Sequence, residues 1–177
     1  MPQAAPRRAV LTGAPGAGKT TLLAAAAASG VTISPEVARD LLQAPGGMAL
    51  RASDPLGFAE AMLAAHIREF ERHAADPGTV LFDRGLPDVA GFLDVSGLTV
   101  PRSVEQACLT LRYTGPVLRA PAWAAIYRQD HERIQTWDEA FASDAAVTAA
   151  WRRYGYPVID LPLVGVAERL EFLRLRI

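Results

Sequence analysis

The stretch AVLTGAPGAGKTTLLAAAAASG, residues 9–30, decides the fold. An apolar run from Ala9 to Leu11 precedes a glycine-rich segment, and a segment rich in alanine and leucine follows it. This order is typical of a strand, a loop and a helix. The loop from Gly13 to Thr20 fits the pattern G-x-x-x-x-G-K-[ST], which binds phosphate groups. The stretch therefore predicts the first unit of a nucleotide-binding α/β domain.

Each residue type in this P-loop has a physical reason. Glycine reaches backbone conformations barred to other residues, so successive N–H groups point inward at phosphate oxygens, and the following helix adds its positive end. Lys19, the only lysine among 18 basic residues, should reach the β- and γ-phosphates, and the Thr20 hydroxyl should bind Mg²⁺. The predicted nucleotide-binding residues are Gly13, Ala14, Pro15, Gly16, Ala17, Gly18, Lys19, Thr20 and Thr21.

The bulk composition narrows the class of protein. At 177 residues we expect one domain, residues 1–177, with a core large enough to need no disulfides. The formal net charge of −1 gives no electrostatic case for a nucleic-acid or membrane partner. Cys108 is the only cysteine, which excludes an internal disulfide, favours a cytoplasmic location and predicts a small buried side chain.

The rest of the chain alternates predicted strands with predicted helices. The apolar run from Thr79 to Asp83 suits a strand that is buried on both faces of a parallel sheet. We expect a three-layer α/β/α fold with a five-stranded parallel sheet and a helical lid segment at about residues 122–138. The other predicted strands are 31–34, 117–120 and 156–161; the predicted helices are 36–43, 54–75, 87–95, 103–111, 122–132, 139–154 and 166–177, with a loop from 45 to about 53.

Asp83 and Arg84 end the third strand, at the edge of the sheet where ligands of parallel sheets gather. An acid at this position is the expected second anchor for Mg²⁺, although a helix cap would also explain it. Arg84 could clamp a phosphate or the acceptor, or could pair with Asp83 or Asp88 as part of the scaffold.

Glu36 lies just beyond the second predicted strand, at the same edge. A carboxylate there could orient or deprotonate the hydroxyl of an acceptor, whereas an acid at a helix N-terminus is the simpler alternative. Asp88 and Arg39 are weaker candidates, which we expect to belong to surface or supporting ion pairs.

The segment from Tyr127 to Arg133 is dense in charge. In a phosphoryl-transfer enzyme a mobile lid here could bring Arg128 or Arg133 onto developing negative charge, but a solvated helix face explains the same residues. The three histidines form no metal-ligand pattern, and His66 and His73 read as solvent-edge residues of a long helix.

Together, the segments TGAPGAGKTT, SPEVARDLL, VLFDRGLPDV, IYRQDHERIQ and VIDLPLVGVAERLEFL resemble a family of small P-loop predicted ATPases. That family is related to the nicotinamide riboside kinase domain and to nucleoside and nucleotide kinases. The resemblance implies nucleotide binding by Gly13 to Thr21 and magnesium binding by Asp83. It also implies that Glu36 binds the acceptor, that Arg84 is the arginine of a D/E-R motif, that Arg128 and Arg133 are lid arginines, and that Pro162 to Val166 lie near the adenine.

We therefore expect an ATP-dependent phosphotransferase that uses Mg²⁺, in which Lys19, Glu36, Arg84, Arg128 and Arg133 serve catalysis and a small molecule is the acceptor. The alternative is an ATPase or nucleotide-dependent switch that acts on a protein partner. The chain contains no asparagine, which excludes the guanine-reading motif of Ras-like GTPases and the catalytic loop of protein kinases. The length also argues against a ring ATPase with a helical lid domain.

Overall fold

The computed structural model describes residues 7–127 and 136–177. In these ranges the strands are β1 (Arg7–Gly13), β2 (Thr32–Ser34), β3 (Thr79–Asp83), β4 (Val117–Ala120) and β5 (Val158–Asp160). The helices are α1 (Lys19–Ala28), α2 (Val37–Gln43), α3 (Gly47–Ser53), α4 (Pro55–Arg72), α5 (Leu86–Val95), α6 (Arg102–Thr110), α7 (Trp137–Arg153) and α8 (Val166–Arg174).

The five strands form one parallel sheet in the order β2-β3-β1-β4-β5. The predicted α/β fold with a five-stranded parallel sheet is therefore confirmed. Strand β1 lies at the centre, with Leu11 opposite Asp83 of β3 on one side and Gly13 opposite Ala120 of β4 on the other. The P-loop consequently leaves the sheet between the ends of β3 and β4, where the strand order changes direction.

Both faces of the sheet are covered. Along β3, Val80 and Phe82 pack into the cluster that includes α4 to α7, whereas Leu81 packs into the cluster that includes α1 and α8. This alternation follows from the two-residue period of a strand. Because all three side chains are buried, the continuous apolar run contains no polar position between Thr79 and Asp83.

Helix boundaries follow the local capping chemistry. The Asp54 carboxylate accepts a hydrogen bond from the Gly57 N–H at 2.9 Å and starts α4, as the sequence predicts. Helix α7 begins two residues before the predicted start, because Thr136 and Glu139 form a reciprocal capping box.

Three expectations are wrong. The segment expected to be a loop up to about Ser53 contains helix α3, which begins after Gly46 in a left-handed conformation (φ 79°). The expected helix from Ala122 starts instead as an isolated turn, in which the N–H groups of Ile126 and Tyr127 donate to the Trp123 carbonyl. Residues 128–135 of this expected helix and lid lie outside the described residues.

The third wrong expectation concerns the histidines of α4. His66 and His73 are buried, with 4% and 6% of their surface exposed, and do not lie at the solvent edge. The helix is covered on more than one side, because α2, α3 and α5 all pack against it. Cys108, in contrast, is fully buried as predicted, and burial raises the pKa of its thiol to about 12.

Within the described ranges, no helix is both long and apolar enough to cross a membrane.

Candidate active site

The P-loop lies between β1 and α1, where the sequence predicts it. A side chain at Gly13 would overlap the Ala120 carbonyl, because β4 runs directly beside this residue. Gly18 precedes α1 in a left-handed conformation with φ 81°, which favours glycine. Gly13 thus permits close packing against β4 and also has a positive φ of 120°, and Gly18 permits the turn into the helix.

Lys19 folds back over the start of this loop. Its Nζ atom donates hydrogen bonds to the carbonyls of Gly13 at 3.2 Å and Ala14 at 2.6 Å, and only 7% of the residue is exposed. Burial and the nearby Arg84 charge lower the pKa of the Lys19 amine to about 8, although three neighbouring carboxylates oppose the shift. Its ammonium group therefore lies among backbone carbonyls at the mouth of the phosphate-binding loop.

Arg84 and Glu36 form an ion pair across the sheet edge. The Arg84 Nε atom donates to Glu36 Oε1 at 3.1 Å, and Arg84 Nη1 donates to the Gly13 carbonyl at 3.2 Å. Burial alone would raise the pKa of Glu36, but the charges of Arg84 and Lys19 outweigh it and hold the pKa below its usual range. Glu36 is therefore an ionised hydrogen-bond acceptor that faces the P-loop at neutral pH.

The backbone of Arg84 is strained. Among the described residues, Arg84 is the non-glycine residue with a positive φ, which is 66°. For a residue with a side chain this left-handed conformation costs about 1–2 kcal/mol. The backbone N–H continues the β3–β1 ladder by donating to the Leu11 carbonyl at 2.9 Å. This turn directs the arginine side chain back toward Glu36 and Gly13, where its ion pairs offset the strain.

Asp88 holds this arrangement from behind and is 5% exposed. Its Oδ1 atom accepts hydrogen bonds from Thr12 at 2.6 Å and from Arg84 Nη1 at 3.1 Å. Its Oδ2 atom accepts from the Gly85 N–H at 3.0 Å and from Trp151 Nε1 at 2.9 Å. Asp88 thus belongs to a buried supporting ion pair and not to a surface one. It links β1, α5 and α7.

Asp83 is the residue best suited to bind a cation. It is 7% exposed, and its buried Oδ1 atom has no hydrogen-bond partner. Burial and the charge of Glu36 raise the pKa of Asp83 to about 6. A buried carboxylate oxygen without a donor is costly unless a cation or a solvent molecule satisfies it, so Asp83 fits the predicted magnesium site.

Thr20, the other predicted magnesium ligand, is the second residue of α1 and is exposed. Arg39 Nη2 donates to its hydroxyl at 3.5 Å, and Arg39 Nε lies 3.6 Å from Glu36 Oε2. Within residues 7–127 and 136–177, no group of three or more acidic, histidine or cysteine side chains could hold a metal ion by itself. One carboxylate and one hydroxyl are the protein ligands expected where nucleotide phosphates complete the magnesium shell.

A cleft of about 400 Å³ is lined by the P-loop, by this charged cluster and by side chains of α2 to α5 and α7. Small-molecule sites typically occupy roughly 300–1,000 Å³. Its floor consists of Phe58, Met62 and His66 of α4 and Phe92 of α5, and one rim carries Arg51 of α3, whose guanidinium lies 5.9 Å from the Phe92 ring centre. The site therefore has a polar end at the phosphate loop and a mainly apolar end between α4 and α5.

The loop from Pro162 to Val166 lies beside the P-loop because of Arg169. Arg169 Nε donates to the Pro162 carbonyl at 2.9 Å, and Nη1 donates to the Ala17 carbonyl at 2.8 Å. The guanidinium also covers the Trp123 ring at 4.7 Å from its centre. The implied role of this loop near the adenine stays a prediction, and Arg128 and Arg133 lie outside the described residues.

Sequence reasoning missed two parts of this site. It did not single out Arg169, because its partner Ala17 lies 152 residues away. It also placed His66 at the surface. Of the partners of Asp88 it named Arg84 but not Thr12 or Trp151. Only for Asp88 was a local signal available, since an acid three residues after Gly85 suits the first turn of α5.

The fold and the site define a P-loop nucleotide-binding protein of the kinase-like α/β class. The chain belongs to the family described as AAA domain (AAA_28), whose model matches residues 8–169. The resemblance drawn from the sequence motifs to a P-loop family related to nucleoside and nucleotide kinases is thereby confirmed. No curated protein sequence is significantly similar to this chain.

Solved structures share the fold over nearly the whole chain. Deoxyadenosine kinase from M. mycoides with bound dATP has a TM-score of 0.72 at 14% identity, covering 95% of this chain and 97% of the kinase. NadR protein in complex with NR has a TM-score of 0.64 at 17% identity, covering 96% of this chain and 49% of NadR. Thymidylate kinase from Candida albicans has a TM-score of 0.64 at 10% identity, covering 97% of this chain and 90% of that enzyme. At these identities the likeness establishes a shared fold.

Proposed function

We propose that this protein is an ATP-dependent phosphotransferase that uses Mg²⁺ and phosphorylates a hydroxyl group of a small, nucleoside-like acceptor. One observation carries the proposal: Lys19, Glu36 and Arg84 meet at one sheet edge and line a cleft with an apolar floor, and the Asp83 carboxylate lies close behind them. The structures with the same fold include a deoxyadenosine kinase and a thymidylate kinase, whose names denote phosphoryl transfer to a nucleoside and to a nucleotide, respectively.

The residues divide the reaction between them. The P-loop backbone and Lys19 hold the β- and γ-phosphates, and Thr20 and Asp83 hold Mg²⁺, which neutralises phosphate charge when bound. Glu36 accepts the hydrogen bond of the acceptor hydroxyl, so that its oxygen faces the γ-phosphorus. As the new O–P bond forms, the bond to the β-phosphate oxygen breaks, ADP leaves, and the hydroxyl proton passes to Glu36 or to solvent.

Glu36 serves mainly to position the hydroxyl. Its lowered pKa makes it a weak base, and the loose transition state of phosphoryl transfer needs little proton removal before the O–P bond forms. Arg84 fixes the Glu36 carboxylate, and Asp88 fixes Arg84. Arg128 and Arg133 stay proposed as lid arginines that stabilise the transferring group.

The test is ADP release in the presence of Mg²⁺, ATP and a panel of small alcohols, with wild type and Lys19→Ala compared. Removing one preorganised electrostatic contact to the transferring group should lower kcat about 10²–10³-fold. Arg102→Ala removes an exposed cation from α6 and is the matched control. Activity of Lys19→Ala near that of Arg102→Ala would reject the proposal.

A second candidate is an ATPase or switch that acts on a protein partner, and the description of the family as AAA domain favours it. The two candidates differ in what stimulates turnover. ADP release that rises with added alcohols, and forms a phosphorylated product, supports the kinase. ADP release that rises only with added cell protein, with inorganic phosphate as the second product, supports the alternative.

A further inference from the structure

The floor of the cleft contains one polar side chain, His66, among apolar ones. Phe58, Met62 and His66 follow each other at four-residue spacing, so α4 presents them on one face. Phe92 of α5 closes this floor, with its ring centre 5.5 Å from that of Phe58 in an edge-to-face arrangement. A flat, uncharged ring fits such a surface better than a charged or strongly hydrated group does.

His66 is buried and has no hydrogen-bond partner among the described residues. It is 4% exposed, it lines the cleft, and no hydrogen bond to either ring nitrogen occurs in the parts of the chain that the structure describes. Burial lowers the pKa of its imidazole to about 4, so the ring is neutral at physiological pH and offers one N–H donor and one nitrogen acceptor. Neither ring nitrogen is among the buried side-chain atoms that lack a partner, so the polar edge of the imidazole opens to the cleft, where a ligand with a complementary edge can pair with it.

The neighbouring histidine of the same helix shows the contrast. His73 caps the C-terminal end of α4, seven residues after His66; it does not line the cleft, and its Nδ1 atom is 2.5 Å from the Asp76 carboxylate. Among the described residues, His73 thus has a hydrogen-bond partner at Nδ1, although its Nε2 atom is buried without one, whereas His66 has none at either nitrogen and faces the cleft.

We propose that His66 is a specificity-determining residue, which reads the hydrogen-bonding edge of an uncharged planar heterocycle seated on Phe58, Met62 and Phe92. That this heterocycle belongs to the phosphoryl acceptor rests on the proposed function. A hydroxyl group on a sugar attached to the ring would then extend toward Glu36 at the polar end of the cleft. The acceptor class is accordingly a neutral nucleoside, bound by its base in the floor and by its sugar near the P-loop.

The experiment measures nucleoside binding by calorimetry, in Mg²⁺ and a non-hydrolysable ATP analogue, so that no turnover is needed. The probes are 2′-deoxyadenosine and 2′-deoxycytidine, with benzimidazole riboside as a planar ring that lacks most of the polar edge. Wild type should bind at least one of the two nucleosides more tightly than benzimidazole riboside. His66→Phe should weaken binding of that nucleoside by about 10–100-fold and leave benzimidazole riboside unchanged.

The controls separate recognition from folding. His66→Gln, which keeps a donor and an acceptor, should recover part of the affinity, and every variant should bind the ATP analogue as wild type does. His73→Gln changes the other buried histidine of α4 and should lower the melting temperature without altering the preference for the nucleoside over benzimidazole riboside.

The outcomes also separate this inference from the proposed function. If wild type binds neither nucleoside at millimolar concentration, or if His66→Phe keeps the full preference, the inference is overturned, while phosphorylation of a different acceptor would still support the kinase. If nucleoside binding depends on His66 but no acceptor is phosphorylated, the ring site stands and the kinase proposal fails.

Discussion

The two ends of the cleft differ in charge and therefore in what they can bind. At the polar end, Lys19, Glu36, Asp83 and Arg84 are charged groups close together, and their pKa values are displaced by burial and by one another. At the other end Phe58, Met62 and Phe92 surround one neutral imidazole. Charge preorganised at one end can stabilise a phosphoryl group, whereas a neutral floor can only select by shape and by hydrogen bonds. We expect substitutions at the polar end to affect kcat or stability, and substitutions in the floor to affect KM.

The sharpest test of this division is Glu36→Gln. The amide keeps the shape but loses the negative charge that holds the acceptor hydroxyl and pairs with Arg84, so phosphoryl transfer should fall about 10²–10³-fold. The affinity for ATP, measured by calorimetry, should change little, because the P-loop contacts stay. A parallel loss of ATP binding would show that Glu36 supports the nucleotide site, and the assignment to the acceptor would fail.

Asp88→Asn tests whether the polar end is held from behind. The amide replaces one acceptor oxygen with an NH₂ donor, which then faces the N–H donors that bound that oxygen. It also removes one of the negative charges that neutralise the Arg84 guanidinium inside the protein. Breaking such a buried pair should lower the free energy of unfolding by about 3–5 kcal/mol, measured by urea denaturation.

Asp94→Asn is the matched control on the same helix. Asp94 pairs with Arg153 at 3.1 Å, but this ion pair lies at the surface, so its loss should cost about 0–1 kcal/mol. Equal effects of the two substitutions would mean that Asp88 is not a buried support.

Asp83→Asn is expected to stabilise the metal-free protein. The pKa of Asp83, raised to about 6, means that the folded state disfavours the Asp83 anion. Asp83 therefore destabilises the folded state fully above pH 6, and this destabilisation disappears as the pH falls toward 3.8, the pKa of the carboxyl group in the unfolded chain. The substitution should therefore raise the free energy of unfolding by about 1–3 kcal/mol at pH 7.5 in EDTA, and by less at pH 4.5.

The same variant should lose activity, because the proposed magnesium ligand is gone. A gain in stability with a loss of function is expected where a binding site keeps a buried charge that only its ligand neutralises. If Asp83→Asn destabilises the protein at pH 7.5, the buried carboxylate is satisfied within the fold and the argument for a cation site at Asp83 is withdrawn.

Much of the fold was predictable because its signals are local. The order of strands and helices follows from apolar runs, helix periodicity and caps that act within a few residues. Helix α3 was missed because Pro45, Gly46 and Gly47 are typical of a loop, although here only Pro45 and Gly46 lie in the short turn after α2 and Gly47 already begins α3. The turn at Trp123 was missed because helical spacing on one face does not reveal what ends a helix.

The sequence by itself determined the phosphate-binding end of the site, since Gly13 to Thr20 are contiguous and their residue types dictate the backbone that they form. Only the tertiary structure decided the rest. The Glu36–Arg84 pair joins residues 48 apart, and Asp88 reaches Trp151 63 residues away, because the sheet order β2-β3-β1-β4-β5 brings these elements together. His66 became a cleft residue for the same reason. A helix pattern shows which residues share a face, but the elements packed against that face decide whether it meets solvent, core or ligand.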